Sequence, residues 1–128
     1  METRNYTLKQ SQDWIQQFND ERLWSSPEHM HDFLLNVVEE TGEIWNVVKW
    51  LKEEKLLEAI HKNQDEFEDY IGDMLFLVLK IAYLSNVDAD KALARTMKDY
   101  ENRFPIEKVK GKHANVKAGG YDGKFEKS

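Results

Sequence analysis

Residues 30–51 read MHDFLLNVVEETGEIWNVVKWL, and this stretch decides the fold. Apolar side chains recur at Met30, Phe33, Leu34, Val37, Val38, Ile44, Val47, Val48 and Leu51. Spacings of three and four residues put them on one face of an α-helix about six turns long. Ser25, Ser26 and Pro27 mark its start, because proline in a first turn gives up an N–H that has no helical partner. Only Gly42 interrupts the pattern. A helical glycine costs roughly 1 kcal/mol against alanine, so Gly42 is either a point of close approach by a backbone or ligand, or a tolerated surface position.

Outward from this helix the chain stays helical. Thr7 with Gln10 three residues on has capping-box spacing, and the helix it opens carries Leu8, Trp14, Ile15, Phe18 and Leu23 inward. The stretch from Lys52 to Asn63 mixes charges and reads as a short helix or a turn; Asn63 with Glu66 then looks like the cap of a third helix. From Met74 to Leu84 nearly every residue is apolar, and length together with the acidic lead-in favours a buried helix over a strand. After the connector Asn86, Val87 and Asp88, the last capping a fourth helix, apolar Ala92, Leu93, Met97 and Tyr100 follow until Pro105 stops it. The expected fold is all-α: a four-helix antiparallel bundle over residues 1–105, with residues 106–128 as an extended tail. That tail holds six lysines and Gly119, Gly120 and Gly123, with Val109, Tyr121 and Phe125 available to pin it on a neighbour.

Composition narrows the function. A chain of 128 residues, 41% apolar, makes one modest core, and surplus apolar helix faces are most easily covered by a second subunit. The formal charge of −6 argues against a nucleic-acid binder, which needs clustered Lys and Arg. With no cysteine there is neither a disulfide framework nor a zinc–thiolate site. Residues Met1 to Lys9 lack the apolar core of a signal peptide, and no apolar run is long enough to cross a membrane, so a cytoplasmic protein is expected.

The acids carry the chemistry. Glu39, Glu40 and Glu43 on one helix, and Glu66, Asp69 and Asp73 on the next, fall at spacings of three and four. Two such stripes facing each other would repel by several kcal/mol unless cations neutralised them; the bland alternative is a pair of solvated faces. An all-oxygen donor set selects hard ions, Mg2+ or Mn2+. Trp24, Trp45 and Trp50 lie around the acidic helix, where an indole gives either core or a stacking surface worth roughly 1–3 kcal/mol to a base. His29 and His31 in the first turn either meet a ligand or are ordinary surface residues.

Two segments, FNDERLWSSPEHMHDFLLNVVEETGEIWNVVKW (residues 18–50) and IGDMLFLVLKIAYLSNVDADKALARTMKDYENRFPIEKVKGK (residues 71–112), resemble MazG-like pyrophosphohydrolases, above all the dCTP-pyrophosphatase branch. The resemblance covers most of the chain and implies Mg2+-dependent hydrolysis of a nucleoside triphosphate to monophosphate and pyrophosphate by a homodimer or homotetramer. EETGE matches the family's EExxE, which makes Glu40 and Glu43 metal ligands and Glu39 a further ligand or water-orienting base. Asp73 matches the aspartate of the family's ExxD, but Tyr70 stands where that motif has glutamate. Asp69, one place earlier, shares a face with Asp73 and is the expected substitute, with Glu66 beside it. By the same resemblance Trp24 and Trp50 enclose the base, Glu28 stands where the branch has a histidine, with His29 adjacent to it, and Arg103 matches a basic residue of the branch, expected to contact phosphate. Lys108, Lys110 and Lys112 could join Arg103 there, across a subunit boundary. Tyr100 replaces a branch asparagine, so cytosine specificity does not follow. The alternative that Tyr70 leaves open is a bundle that binds nucleotides without turning them over.

Overall fold

The computed structural model describes residues 5–112. Along them run α1 (Leu8–Asp20), a 3-10 turn (Pro27–His29), α2 (Met30–Val48), α3 (Glu53–Lys62), α4 (Gln64–Leu84), α5 (Ala89–Arg103) and α6 (Ile106–Val109), with no strand among the described residues. The all-α expectation holds, but the described residues form six helices rather than four. The mixed-charge stretch winds into α3 because its charges suit the helix dipole, with Glu53 and Glu54 in the first turn and His61 and Lys62 in the last. The single turn α6 forms behind Pro105, inside the expected tail; Gly119, Gly120, Gly123, Tyr121 and Phe125 lie outside the described residues.

The chain divides into two compact units, Met1–Ala89 and Asp90–Ser128. In the first, α4 is the central element and packs against α1, α2 and α3. Its neighbours α1 and α2 both run antiparallel to it: Phe18 meets Phe76 while Gln12 meets Val87, and Phe33 meets Lys80 while Glu40 feels Asp73.

The capping box at the start of α1 is present. Thr7 Oγ1 accepts from the Gln10 N–H at 3.1 Å, and Gln10 Oε1 accepts from the Thr7 N–H at 2.9 Å. Asn63 occupies the cap position of α4, but its amide turns back and donates to the Ala59 carbonyl at 2.6 Å, closing α3 instead. Of the residues expected inward on α1, Ile15 is buried at 6% exposure, whereas Leu23 is 91% exposed in a left-handed turn beyond the helix end. Trp14 is exposed as well.

The buried core lies between α1 and the second half of α4, at Ile15, Leu79 and Ala82. Two buried amides of α1 bind backbone groups there. Gln12 donates from Nε2 to the Val87 carbonyl at 2.7 Å and accepts the Ala89 N–H at 2.9 Å, tying α1 to the connector after α4. Asn19, fully buried, donates to the Ile15 carbonyl at 2.8 Å. No residue of α2 reaches that depth, and its Leu34, Leu35, Val38 and Trp45 are exposed. A Cβ built on Gly42 meets nothing within 4 Å, so no close approach within the described residues requires that glycine.

Candidate active site

Where α2 and α4 face each other, Glu40, Glu43 and Ile44 from α2 and Glu66, Asp69, Tyr70 and Asp73 from α4 line a pocket of about 280 Å³. Helical geometry assembles it: spacings of three, four and seven residues keep each acid on the side turned to the other helix. Five of the six acids picked out in the sequence therefore converge. Glu39, the sixth, is exposed and does not line the pocket, although its charge reaches Glu40.

The electrostatics are those of uncompensated negative charge. Glu40 is half-buried, and its carboxyl is held above the ordinary carboxylate range, first by burial and then by the charges of Glu43, Asp73 and Glu39. None of the five pocket carboxylates has an ion-pair or hydrogen-bond partner among the described residues. Nor, among those residues, do any three His, Asp or Glu side chains stand close enough to hold one ion as they are placed. Like charges that face one another across a pocket repel, and a bound cation would relieve that repulsion. The donor set, all carboxylate oxygen on two facing helices, fits a hard divalent ion.

Tyr70 is half-buried beside these acids, and its hydroxyl lies 3.3 Å from Thr41 Oγ1, an oxygen that also donates to the Val37 carbonyl. The tyrosine thus links α4 to α2 from the position expected to be glutamate, while Asp69 lines the pocket next to it. Sequence reasoning did not foresee this bond, nor the apolar floor at Ile44.

The aromatic residues do not gather in the same way. Trp24 packs edge-on against Phe18 before the 3-10 turn, and Trp50 packs edge-on against Trp45 beyond the other end of α2. Between them lies a 19-residue helix, a span of roughly 28 Å. Trp50 is 83% exposed and has φ of 64°, a left-handed conformation that costs a non-glycine residue about 1–2 kcal/mol. His29 and His31 are exposed at the N-terminal end of α2, His29 with Nδ1 3.6 Å from the Asp32 carboxylate. That end is about 16 Å along the helix from Glu40. Arg103, Lys108 and Lys110 belong to the second unit, where the Arg103 guanidinium meets Asp99 at 3.2 Å and the rings of Tyr100 and Phe104.

Residues 28–107 match the family model of the MazG nucleotide pyrophosphohydrolase domain. Among solved structures the chain is similar to a pyrophosphatase from Archaeoglobus fulgidus, with a TM-score of 0.64 and 19% identity over 82% of this chain and 98% of that one. At that identity the likeness speaks for the fold. No curated protein matches. The family match spans well over half of the chain and contains both acidic helices of the pocket, and this protein accordingly belongs to the MazG nucleotide pyrophosphohydrolase family, as a hydrolase of the nucleotide pyrophosphatase class.

Proposed function

We propose that the protein hydrolyses a nucleoside or deoxynucleoside triphosphate to the monophosphate and pyrophosphate at the α2–α4 pocket, with Mg2+ as the working ion and Mn2+ able to replace it. One observation carries this reading: five carboxylates from two helices line one pocket, and no cation among the described residues pairs with them. Glu40, Glu43 and Asp73, completed by Asp69 and Glu66, are the residues that would hold the metal. Mg2+ bound there supplies charge neutralisation for the triphosphate and a water of lowered pKa for in-line attack on phosphorus. Glu39, whose charge reaches Glu40, would take the proton from that water.

The chain's other residues bind and orient. Trp50, exposed beyond α2, offers a stacking face for the base, with His29 and Trp24 at the far end of the same helix. Since the length of α2 separates Trp24 from Trp50, the two enclose one base only when contributed by two copies. The exposed Leu34, Leu35 and Val38 on α2 and Leu75 and Val78 on α4 support the same conclusion, a homodimer or homotetramer. Arg103, Lys108 and Lys110 are assigned to the phosphates. No single described helix is long and apolar enough to cross a membrane; a cytoplasmic site of action, without membrane or nucleic-acid partner, completes the proposal.

The test is to incubate the purified protein with each triphosphate and Mg2+ and to resolve the products. Monophosphate plus pyrophosphate is expected; orthophosphate alone excludes the chemistry. Replacing Glu43 with Gln should lower turnover by roughly 10²-fold or more, the scale on which removing a group that stabilises transition-state charge acts. Light scattering should give a mass above that of one chain, and a monomer that retains full activity would remove the second copy from the site. The reading that Tyr70 motivates, nucleotide binding without turnover, takes over if calorimetry detects Mg2+-dependent binding and no product forms.

A further inference from the structure

Lys80 lies in the middle of the apolar run of α4 and is 7% exposed. Burial lowers its pKa. Its ammonium sits 4.1 Å from the centroid of the Phe33 ring, and the described residues give it no carboxylate or hydrogen-bond acceptor. A ring face attracts the charge but leaves the directed hydrogen-bonding capacity of three N–H donors unused. An unbranched apolar side chain of the same length would fill this place at lower cost, since a buried charge without an anion is destabilising.

The position of Lys80 gives the charge a use. Along the antiparallel seam of α2 and α4, Glu40 faces Asp73 at one level, and seven residues earlier in α2 and seven later in α4 Phe33 faces Lys80. Two helical turns amount to about 10 Å. The seam thus carries an acidic, cation-seeking level and, a nucleotide's length away, a donor-only level with an aromatic wall. A triphosphate held at the first level would project its base toward the second.

We propose that Lys80 is a specificity-determining residue that donates a hydrogen bond to the base carbonyl at pyrimidine position 4 or purine position 6, so that the protein prefers keto bases (uracil, thymine, guanine) to the amino bases cytosine and adenine. The inference rests on the proposed binding of triphosphate at the α2–α4 pocket. Its chemical basis is that lysine accepts no hydrogen bond, whereas cytosine and adenine present an amino donor where the keto bases present an acceptor. A donor facing a donor leaves both unsatisfied, which is why a site built around a hydrogen bond rejects the wrong partner strongly.

The experiment compares the α,β-methylene analogues of UTP and CTP, with Mg2+, in calorimetric titrations of the wild-type protein, Lys80→Met and Lys80→Gln. The wild type should bind the uridine analogue about tenfold or more tighter than the cytidine analogue. Lys80→Met should bring the ratio close to one while raising Tm, because it removes an unpaired charge and keeps the stem. Lys80→Gln, whose amide both donates and accepts, should recover cytidine binding. The proposal is overturned if the wild type shows no keto preference, if the ratio survives Lys80→Met, or if that variant weakens both analogues equally, the mark of a phosphate contact. A parallel product assay separates the two readings. Turnover without base preference removes Lys80 from recognition, whereas base-selective binding without turnover removes hydrolysis and leaves the role of Lys80 standing.

Discussion

Helix α4 serves two neighbours in opposite ways. Toward α1 it presents Leu79 and Ala82 to Ile15, and the polar groups at that junction, Gln12 and Asn19, are buried with hydrogen bonds. Toward α2 it presents Glu66, Asp69 and Asp73 to Glu40 and Glu43 across a pocket, with no partner for any of them among the described residues. Burial with satisfied hydrogen bonds stabilises a fold, while facing carboxylates oppose it and persist where a ligand is to be held. The first unit of the chain therefore separates stability from chemistry on the two sides of one helix.

The largest effect expected from breaking that separation is on the α1 side. Ile15→Ala removes a buried side chain at the centre of the junction and should cost about 2–5 kcal/mol, read as a fall in Tm or in the denaturant midpoint. Glu43→Gln, which should remove turnover, ought by contrast to leave the unfolding free energy within about 0.5 kcal/mol of wild type or raise it, because an exposed like-charge repulsion is relieved. If the glutamate variant destabilised the protein as much as the isoleucine variant, the pocket would be part of the framework and the division of labour would be wrong.

The two sides also differed in how far the sequence revealed them. The acidic pocket was legible because helical spacing alone fixes which carboxylates share a face, and Glu40, Glu43, Glu66, Asp69 and Asp73 needed only one antiparallel pairing to meet. The capping box at Thr7 was legible for the same local reason. What stayed hidden depended on partners distant in sequence. Nothing near Gln12 announces that its amide will bridge to Val87 and Ala89, and nothing near Tyr70 announces Thr41. Lys80 is a lone cation in an apolar run, and only the position of Phe33 shows that it is buried on the seam rather than turned to water. Resemblance assigns Trp24 and Trp50 to one base, although the helix read between them already sets them a helix length apart. Asn63 was read as a cap by residue type, but a short polar side chain can satisfy either of two helix ends, and here it closes the earlier one.

The smallest expected effect sharpens the comparison most, because it measures repulsion in the pocket directly. The Glu40 carboxyl is raised by burial and by Glu43, Asp73 and Glu39, so the folded protein holds that proton to higher pH than the unfolded chain does. Where both states are ionised, the folded state alone bears the cost of a carboxylate among carboxylates. As pH falls into the window between the folded and the unfolded pKa, the folded state takes up the proton first and stability is recovered; as pH rises through that window, it is lost. In melts without divalent ions Glu40→Gln should therefore exceed wild type in Tm at pH 7, with a gap that closes as the solution is acidified toward the ordinary glutamate range. Glu40 is only half-buried, so salt screens the effect and the gap should shrink further at high ionic strength. Mg2+ at pH 7 should act in the same direction as acid on the wild type and much less on the variant, since it neutralises the charge that the substitution has removed. A gap indifferent to pH and to Mg2+ would mean that Glu40 does not feel its neighbours, and α4 would then be turning toward α2 a solvated face instead of a site.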